Sequence, residues 1–590
     1  MMIRTLTGGG NTVEWSNGST IAVANESGVT VGIAGRITNV PELANALGHP
    51  AAMPLAALLR EGWHRWGRGL ADRLRGSFLL VVHNSRDRRT FVARDALGVT
   101  PAFYAASSEF FIVGTSSRQV RALTGINHQP DRAPLADFLI GGIGDFTHSF
   151  FKGIHRLPPA STLDYAAGDL SISRYWTPAA APDVKGSLSA LAEQFTELTD
   201  RALAHCHVPG QTGLLLSGGL DSSYIAGSLL HSEKASNEVL ALSMTFERDP
   251  NWHDKKHLEA LRKYLPFTFA ELPSDTHNPL AGLDEHLVAL DGPWFWLGHS
   301  ITFAATQKLA DAGFPYILSG HGGDEVIGYG RGRLNELARA GNWIDFLREA
   351  PVTASLQHNR RWEVISPYLD HIRLVRAVRN RLRGAAKSPP PMAGIINDDA
   401  MELMENAYGP PPSDPITRFD HSERSVHEYA LSSPMQARAF EVMDGASDAI
   451  GVETRMPFCD RDLVEFSLGL PSEMKLGGGF TRRIMREAMR GRVPETVRTR
   501  SDKFEFSGAF VAGLTSNGKQ LRAMLDVQNA SLRELINHNE LKRLQDAVSQ
   551  TGTQLKREDA FAIWRVIVAS KWIDMERNLL PNVKLQNSIG

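Results

Sequence analysis

Two cysteines in 590 residues, Cys206 and Cys459, leave no material for a disulfide framework and fit a reducing compartment. No stretch approaches the ~18 consecutive apolar residues of a membrane span. The first ten residues also lack the apolar core of a secretory signal. A cytoplasmic protein with no membrane contact is the expectation. Charge of one sign is missing too: 63 Lys and Arg stand against 65 Asp and Glu, a net charge of −2. That argues against nucleic acid as a partner, since binding through phosphates needs a broad basic face. No internal repeat is visible. What remains is ordinary for a globular chain, 42% hydrophobic and 22% charged, and long enough for two or three domains.

Residues 1–180 read as β-rich. Short apolar runs at 76–82, 90–93, 101–104 and 110–113 are separated by polar turns, which predicts antiparallel strands. A stretch rich in Pro and Ala at 176–182 marks a linker. Beyond it, Leu188, Leu191, Phe195 and Leu198 recur at helical spacing. Buried strands are expected at 213–216 and 239–246, and helices over 222–230 and 257–263. Strands alternating with helices predict an α/β domain with a parallel sheet. After about 330 the patterns are mainly helical, and 388–415, with two runs of three prolines, reads as a long excursion.

One segment carries chemistry: Leu214-Leu215-Leu216-Ser217-Gly218-Gly219-Leu220-Asp221-Ser222-Ser223. A buried strand ends in small residues and a helix begins at once. Glycines let the backbone approach an anion closely, and the N-terminal end of a helix favours phosphate. Asp221 would repel a bare phosphate, and Mg²⁺ between them resolves the conflict, because it takes carboxylate and phosphate oxygens together. The Gly-Lys-Ser/Thr ending of a Walker A loop is absent. A plain helix-capping turn is the alternative. A second strand candidate, 315–318, opens into Ser319-Gly320-His321-Gly322-Gly323-Asp324-Glu325. Two such turns at strand ends can line one crevice, and Asp221 and Asp324 could share the metal ion. A helix N-cap is the competing role for Asp324.

These residues resemble the asparagine synthetase superfamily. The first turn looks like its pyrophosphate loop, and 319–325 looks like its second phosphate and magnesium loop. Blocks at 451–460, 463–466, 470–471, 480–489, 493–494 and 498–504 continue the likeness in order. The resemblance implies a two-domain α/β protein. Residues 1–180 would be a glutaminase-like domain of the Ntn-hydrolase kind, an antiparallel β sandwich with helices. Residues 181–590 would be a synthetase domain of the adenine nucleotide α-hydrolase (PP-loop) kind. It implies ATP held by Leu216, Ser217, Gly218, Gly219, Asp221, Ser222, Ser223, Ser319 and Gly320, with Mg²⁺ on Asp221 and Asp324. It also places Lys503 in the lysine-bearing segment that stabilises the charge on the α-phosphate and leaving pyrophosphate.

Segments 35–39 and 94–101 fit the glutaminase domain, but its catalytic cysteine is missing: Met2 stands in that place, and no cysteine precedes Cys206. A thioether cannot supply the attacking thiolate. The domain is therefore expected not to hydrolyse glutamine. The resemblance then runs to lasso peptide cyclases, in which an Asp or Glu side chain is adenylated and attacked by the peptide's own N-terminal amine. The partners expected are a precursor peptide and a leader peptidase. A β-lactam synthetase, another small-molecule amide synthetase, an ammonia-dependent asparagine synthetase or a silent nucleotide-binding scaffold are the alternatives. His321 occupies a loop slot where asparagine synthetases carry Glu and β-lactam synthetases Tyr. At an ordinary pKa of ~6.5 its imidazole would suit a general base, with a purely structural hydrogen bond as the alternative.

Four other features carry less. His205, Cys206 and His207 are adjacent, so on a helix they diverge and read as a helix end. Cys459 reads as packing. Arg373, Arg376, Arg379, Arg381 and Arg383 form a solvated face or a contact for an acidic partner. Trp294, Phe295 and Trp296 are either core or the aromatic wall of an acceptor pocket.

Overall fold

In the first unit, alternation along the strands decides which side chain meets which layer. The structure is a computed structural model, and it describes residues 2–6, 21–26, 28–50, 53–124, 129–231, 239–250, 252–275, 277–356, 364–365, 368, 393–409, 420–502, 504–505, 507–549 and 554–579. The first unit contains β1 (Met2–Leu6), β2 (Ile21–Glu26), β3 (Val29–Ile37), β4 (Gly76–Asn84) and β5 (Arg89–Arg94). It continues with β6 (Phe103–Ala106), β7 (Phe110–Gly114), β8 (His155–Arg156), β9 (Ser161–Ala166) and β10 (Asp169–Arg174). They pair antiparallel in two sheets, ordered β1-β7-β6-β8 and β10-β9-β5-β4-β3-β2. Residues 78–82 are apolar without a break because β4 is covered on both faces. Phe78, Leu80 and Val82 pack with residues of helices Val40–Leu47 and Leu55–Trp66. Leu79 and Val81 point the other way, into a layer with Tyr104, Phe111 and Val113 of the second sheet.

The linker expected near 180 falls between the end of β10 and helix Leu188–Cys206, which Ser187 caps by accepting from the Ala190 amide at 3.3 Å. The second unit holds β11 (Thr212–Leu215), β12 (Leu240–Thr245), β13 (Thr268–Pro273), β14 (Tyr316–Leu318) and β15 (Glu453–Arg455). All are parallel, in the order β13-β12-β11-β14-β15. The chain moves outward from β11 to β13, then returns to the other side of β11 for β14. That reversal makes the β11/β14 junction the switch point where ligands bind in such sheets. The sequence reading did not mark β13 and β15, the two edge strands. β13 is half-exposed and ends in Pro273, which an edge tolerates, and β15 has only three residues.

The two units share one core. Phe103, Leu135, Phe138 and Phe151 of the first belong to the same buried cluster as Trp564, Ile567 and Trp572 of the long helix Arg557–Leu579. Part of the Pro-rich stretch is ordered, which corrects its reading as one long excursion. Helix Asp398–Tyr408, capped by Asn397, packs on helix Arg132–Ile140 of the first unit. Residues 388–392 and 410–415 of that stretch, like the arginine run 373–383, lie outside the described residues. Among the described residues no helix is long and apolar enough to cross a membrane. Trp572 is fully buried in the shared core, so Trp572→Ala should cost ~3–5 kcal/mol of unfolding free energy. A urea melt with unchanged stability would mean that the two units do not depend on this core.

Candidate active site

β11 and β14 lie side by side with Leu214 opposite Leu318, so the turns that follow them open at the same sheet edge. Below the first turn, Leu216 is buried and its amide donates to the Leu242 carbonyl at 2.9 Å. The Ser217 amide donates to Ser222 Oγ at 3.1 Å, and the Gly219 amide to Ser217 Oγ at 3.2 Å. Gly218 has φ +76°, where a side chain would be strained, and a Cβ there would sit 3.2 Å from Leu258. Its carbonyl accepts from Arg500 Nη1 at 2.5 Å, and Arg500 Nη2 donates to Asp254 at 2.6 Å. The loop is thus held from beneath by a buried guanidinium. Helix Leu220–His231 starts immediately, with Asp221 in its first turn.

The second turn is pinned by the Ser319 amide on the Arg455 carbonyl at 3.0 Å, and by the His321 amide on Ser319 Oγ at 3.2 Å. The two turns touch. A Cβ on Gly320 would lie 2.8 Å from the Ser222 amide nitrogen, and one on Gly323 would lie 2.5 Å from Asp221 Oδ1. Only glycine permits this approach. Asp324 is inside helix Gly323–Ile327 rather than at its cap, which is Gly322, so the N-cap role does not apply.

Asp221 and Asp324 both pair with the guanidinium of Arg482. Arg482 is almost wholly buried, donates to the Tyr329 hydroxyl at 2.8 Å, and lies over that ring at 4.6 Å. Its backbone is left-handed, with φ 50°, a conformation rare for a long side chain and typical of functional positions. The sequence reading passed over Arg482 within the 480–489 block. Its signal is conformational and has no counterpart in composition. Two carboxylates form a pair of hard oxygen donors of the kind Mg²⁺ takes together with phosphate oxygens. Among the described residues no set of three or more His, Cys, Asp or Glu is arranged to hold a metal. Any ion here would therefore complete its shell from its ligand and water.

Ser223 is fully buried with its hydroxyl unpartnered, and Ser222 beside it is buried as well. One expectation changes. His321 does not keep the ordinary imidazole pKa: burial pushes it down to about 4. Its ring lies 6.1 Å from Trp296 and 5.7 Å, edge-on, from Phe440. Its Nε2 is buried without a hydrogen-bond partner. The ring is neutral at pH 7 and holds an unused polar atom in an aromatic slot. Lys503 lies outside the described residues, but its neighbours are tied to the first loop. Arg500 bonds Asp502 as well as Gly218, and Phe504 packs on Phe246 at 5.0 Å.

Elsewhere the features of lesser weight resolve simply. Cys206 is buried at a helix end and accepts from Arg36 at 3.4 Å. Cys459 packs beneath Gly322, with its thiol pushed well up by burial. Trp294 is buried in the core and also borders the larger cavity, Phe295 lines both cavities, and Trp296 lines the smaller one. In the first unit Arg94 donates to the carbonyls of Gly98, Leu157 and Thr100. Asp95 accepts from the amides of Phe78, Leu97, Val99 and Thr100. Arg94 also lies 3.7 Å from Glu441 of the second unit. Between the units lies a cavity of about 520 Å³ lined by Ser77, Asp137, Tyr408 and Phe440, the last also packing on His321.

An antiparallel double-sheet unit followed by a parallel sheet with two glycine-rich turns at its switch point defines a two-domain α/β protein. The first domain is of the glutamine amidotransferase type, and the second carries two glycine-rich turns in contact at its switch point. Family comparison agrees: residues 20–176 match the glutamine amidotransferase domain. Residues 194–574 match asparagine synthase, and the chain belongs to that family, one of ATP-dependent amide-bond formation. It is 24% identical to asparagine synthetase [glutamine-hydrolyzing] 3 of Bacillus subtilis, over 75% of this chain and 68% of that protein. It is 21% identical to asparagine synthetase [glutamine-hydrolyzing] 1 of the same organism, over 87% and 79%. It is 25% identical to carboxyethyl-arginine beta-lactam-synthase of Streptomyces clavuligerus, over 51% and 55%. Among solved structures, a glutamine phosphoribosylpyrophosphate amidotransferase from B. subtilis is similar over 34% of this chain and 46% of its own, at TM-score 0.19 and 11% identity, too slight a likeness to argue from.

If the touching glycines shape the crevice, Gly323→Ala should push Asp221 away. Affinity for Mg²⁺·ATP should then fall about tenfold or more, ~1.4 kcal/mol, with the melting temperature little changed. Calorimetric titration giving wild-type affinity would show that the contact is incidental.

Proposed function

We propose that this protein makes amide bonds by adenylating a carboxylate and passing the acyl group to an amine. The observation that carries the reading is the contact of two glycine-rich turns over one switch point, with Asp221 and Asp324 on a single guanidinium. In this reading the hydroxyls of Ser217, Ser222 and Ser319 and the amide of Gly320 hold the polyphosphate of ATP. Asp221 and Asp324 hold Mg²⁺, which when bound offsets charge on the leaving pyrophosphate. A carboxylate oxygen attacks the α-phosphorus, the bond to the β-phosphate bridging oxygen breaks, and pyrophosphate departs. The amine nitrogen then attacks the acyl carbon, the bond to AMP breaks, and the nitrogen loses a proton.

Lys503 is assigned to the α-phosphate because its neighbours Arg500 and Asp502 belong to the support of the first loop. His321 is assigned to the proton. With a pKa of about 4 it is too weak a base for a free ammonium. Its neutral ring suits the addition adduct, where the attacking nitrogen is far more acidic. The lack of any cysteine before Cys206 supports a first domain that does not hydrolyse glutamine. The amine then comes with the substrate. We favour a peptide whose N-terminal amine closes a macrolactam on an Asp or Glu side chain, delivered by a leader peptidase partner. Likeness to the beta-lactam synthase favours a second reading, in which the amine belongs to a small molecule.

Incubation of the full chain with ATP, Mg²⁺ and candidate core peptides should give AMP and a product lighter by one water. Lys503→Ala should reduce AMP release at least ~100-fold without lowering the melting temperature. AMP release with ammonia and aspartate, but with no peptide, would replace the cyclase reading. For His321 the expected low-pH limb of the rate lies near pH 4, with full activity kept as pH rises through 6.5. His321→Gln should remove that limb. A limb that persists takes His321 out of proton transfer.

A further inference from the structure

A second, smaller cavity of about 280 Å³ opens beside the carboxyl ends of β12 and β13, where Phe246 and Ser274 directly follow those strands. Its walls are rings: Phe246, Phe295, Trp296, Phe510 and Phe561. Several of its polar lining groups are already partnered. His277 Nε2 bonds Ser300 Oγ at 2.9 Å, the Ser274 hydroxyl donates to the Leu272 carbonyl at 2.8 Å, and half-exposed Glu505 and Arg557 pair with each other at 2.5 Å. An occupant therefore gains from apolar burial and ring contact rather than from new hydrogen bonds.

The pocket adjoins the reacting groups. Trp296 forms its wall and is also the ring 6.1 Å from His321. Phe246 packs at 5.0 Å on Phe504, next in the chain to Lys503. Phe295 lines both this pocket and the cavity between the domains. A small, fully polar acyl substrate such as a free amino acid has nothing to place among five aromatic walls. We propose that this pocket receives an aromatic or large aliphatic group of the acyl substrate, adjoining the carboxylate that is activated. The substrate class is then a peptide or acyl compound with an apolar ring-sized group next to its reactive acid. This assignment rests on the adenylation reading above.

The test uses the full chain and 5-fluoroindole, followed by fluorine NMR, with Mg²⁺·ATP affinity measured in parallel. Indole is expected to bind, to stay bound when ATP saturates, and to lose affinity at least tenfold in Ala509→Trp, which fills the pocket. Phe561→Ala, which enlarges it, serves as a second variant, and melting curves show that both are folded. Acetyl-Trp-Glu-amide should displace indole at least tenfold better than acetyl-Ala-Glu-amide, while ATP affinity in both variants stays within twofold of wild type. No indole binding, unaltered binding in Ala509→Trp, or equal displacement by the two dipeptides would overturn the assignment with the nucleotide reading intact. Displacement of indole by ATP would also overturn it and make the pocket a base site. A wild-type protein that binds no ATP would instead defeat the adenylation reading itself.

Discussion

One buried guanidinium between two carboxylates holds the site together. Asp221 begins the helix after β11, Asp324 begins the helix after β14, and Arg482 reaches both from a third segment. Two carboxylates brought this close repel each other, and burial makes their charge costlier still unless a cation answers it. Arg482 supplies that cation from a left-handed backbone, so the segment 480–483 accepts strain to put it there. In the proposed function the same two carboxylates would also hold the divalent ion that accompanies the triphosphate.

Everything around this triplet serves spacing. Gly320 and Gly323 let one turn lie on the other, and Arg500 braces the first turn through the Gly218 carbonyl. His321 is set apart in an aromatic slot, where burial keeps it neutral. The first domain meets the second through charge, with Arg94 and Arg156 on Glu441, and through packing: it shares the Trp564 and Trp572 core and walls the cavity that includes Phe440.

Much of this was legible in the amino-acid sequence, because the signals were local. A buried strand running into Ser-Gly-Gly leaves a turn little choice, and β11, β12 and β14 lie where the apolar runs fell. Strands β13 and β15 were not legible, since edge strands need no apolar run and here carry Glu, Thr, Arg and Pro. Arg482 was hidden for another reason. Its role depends on a backbone twist and on two partners more than 150 residues away in the chain. His321 was misjudged through burial, since an imidazole surrounded by rings loses its ordinary pKa. The Pro-rich stretch concealed a capped helix that packs on the first domain, because proline content masks a short amphipathic run between.

The central claim is that both turns grip one triphosphate. A crystal of the protein grown with Mg²⁺ and α,β-methylene-ATP tests it directly. The account predicts phosphate oxygens within hydrogen-bond reach of the Ser217–Gly219 and Ser319–Gly320 segments, with the metal on Asp221 and Asp324. A triphosphate bound away from either turn, or no nucleotide at millimolar analogue, would contradict it.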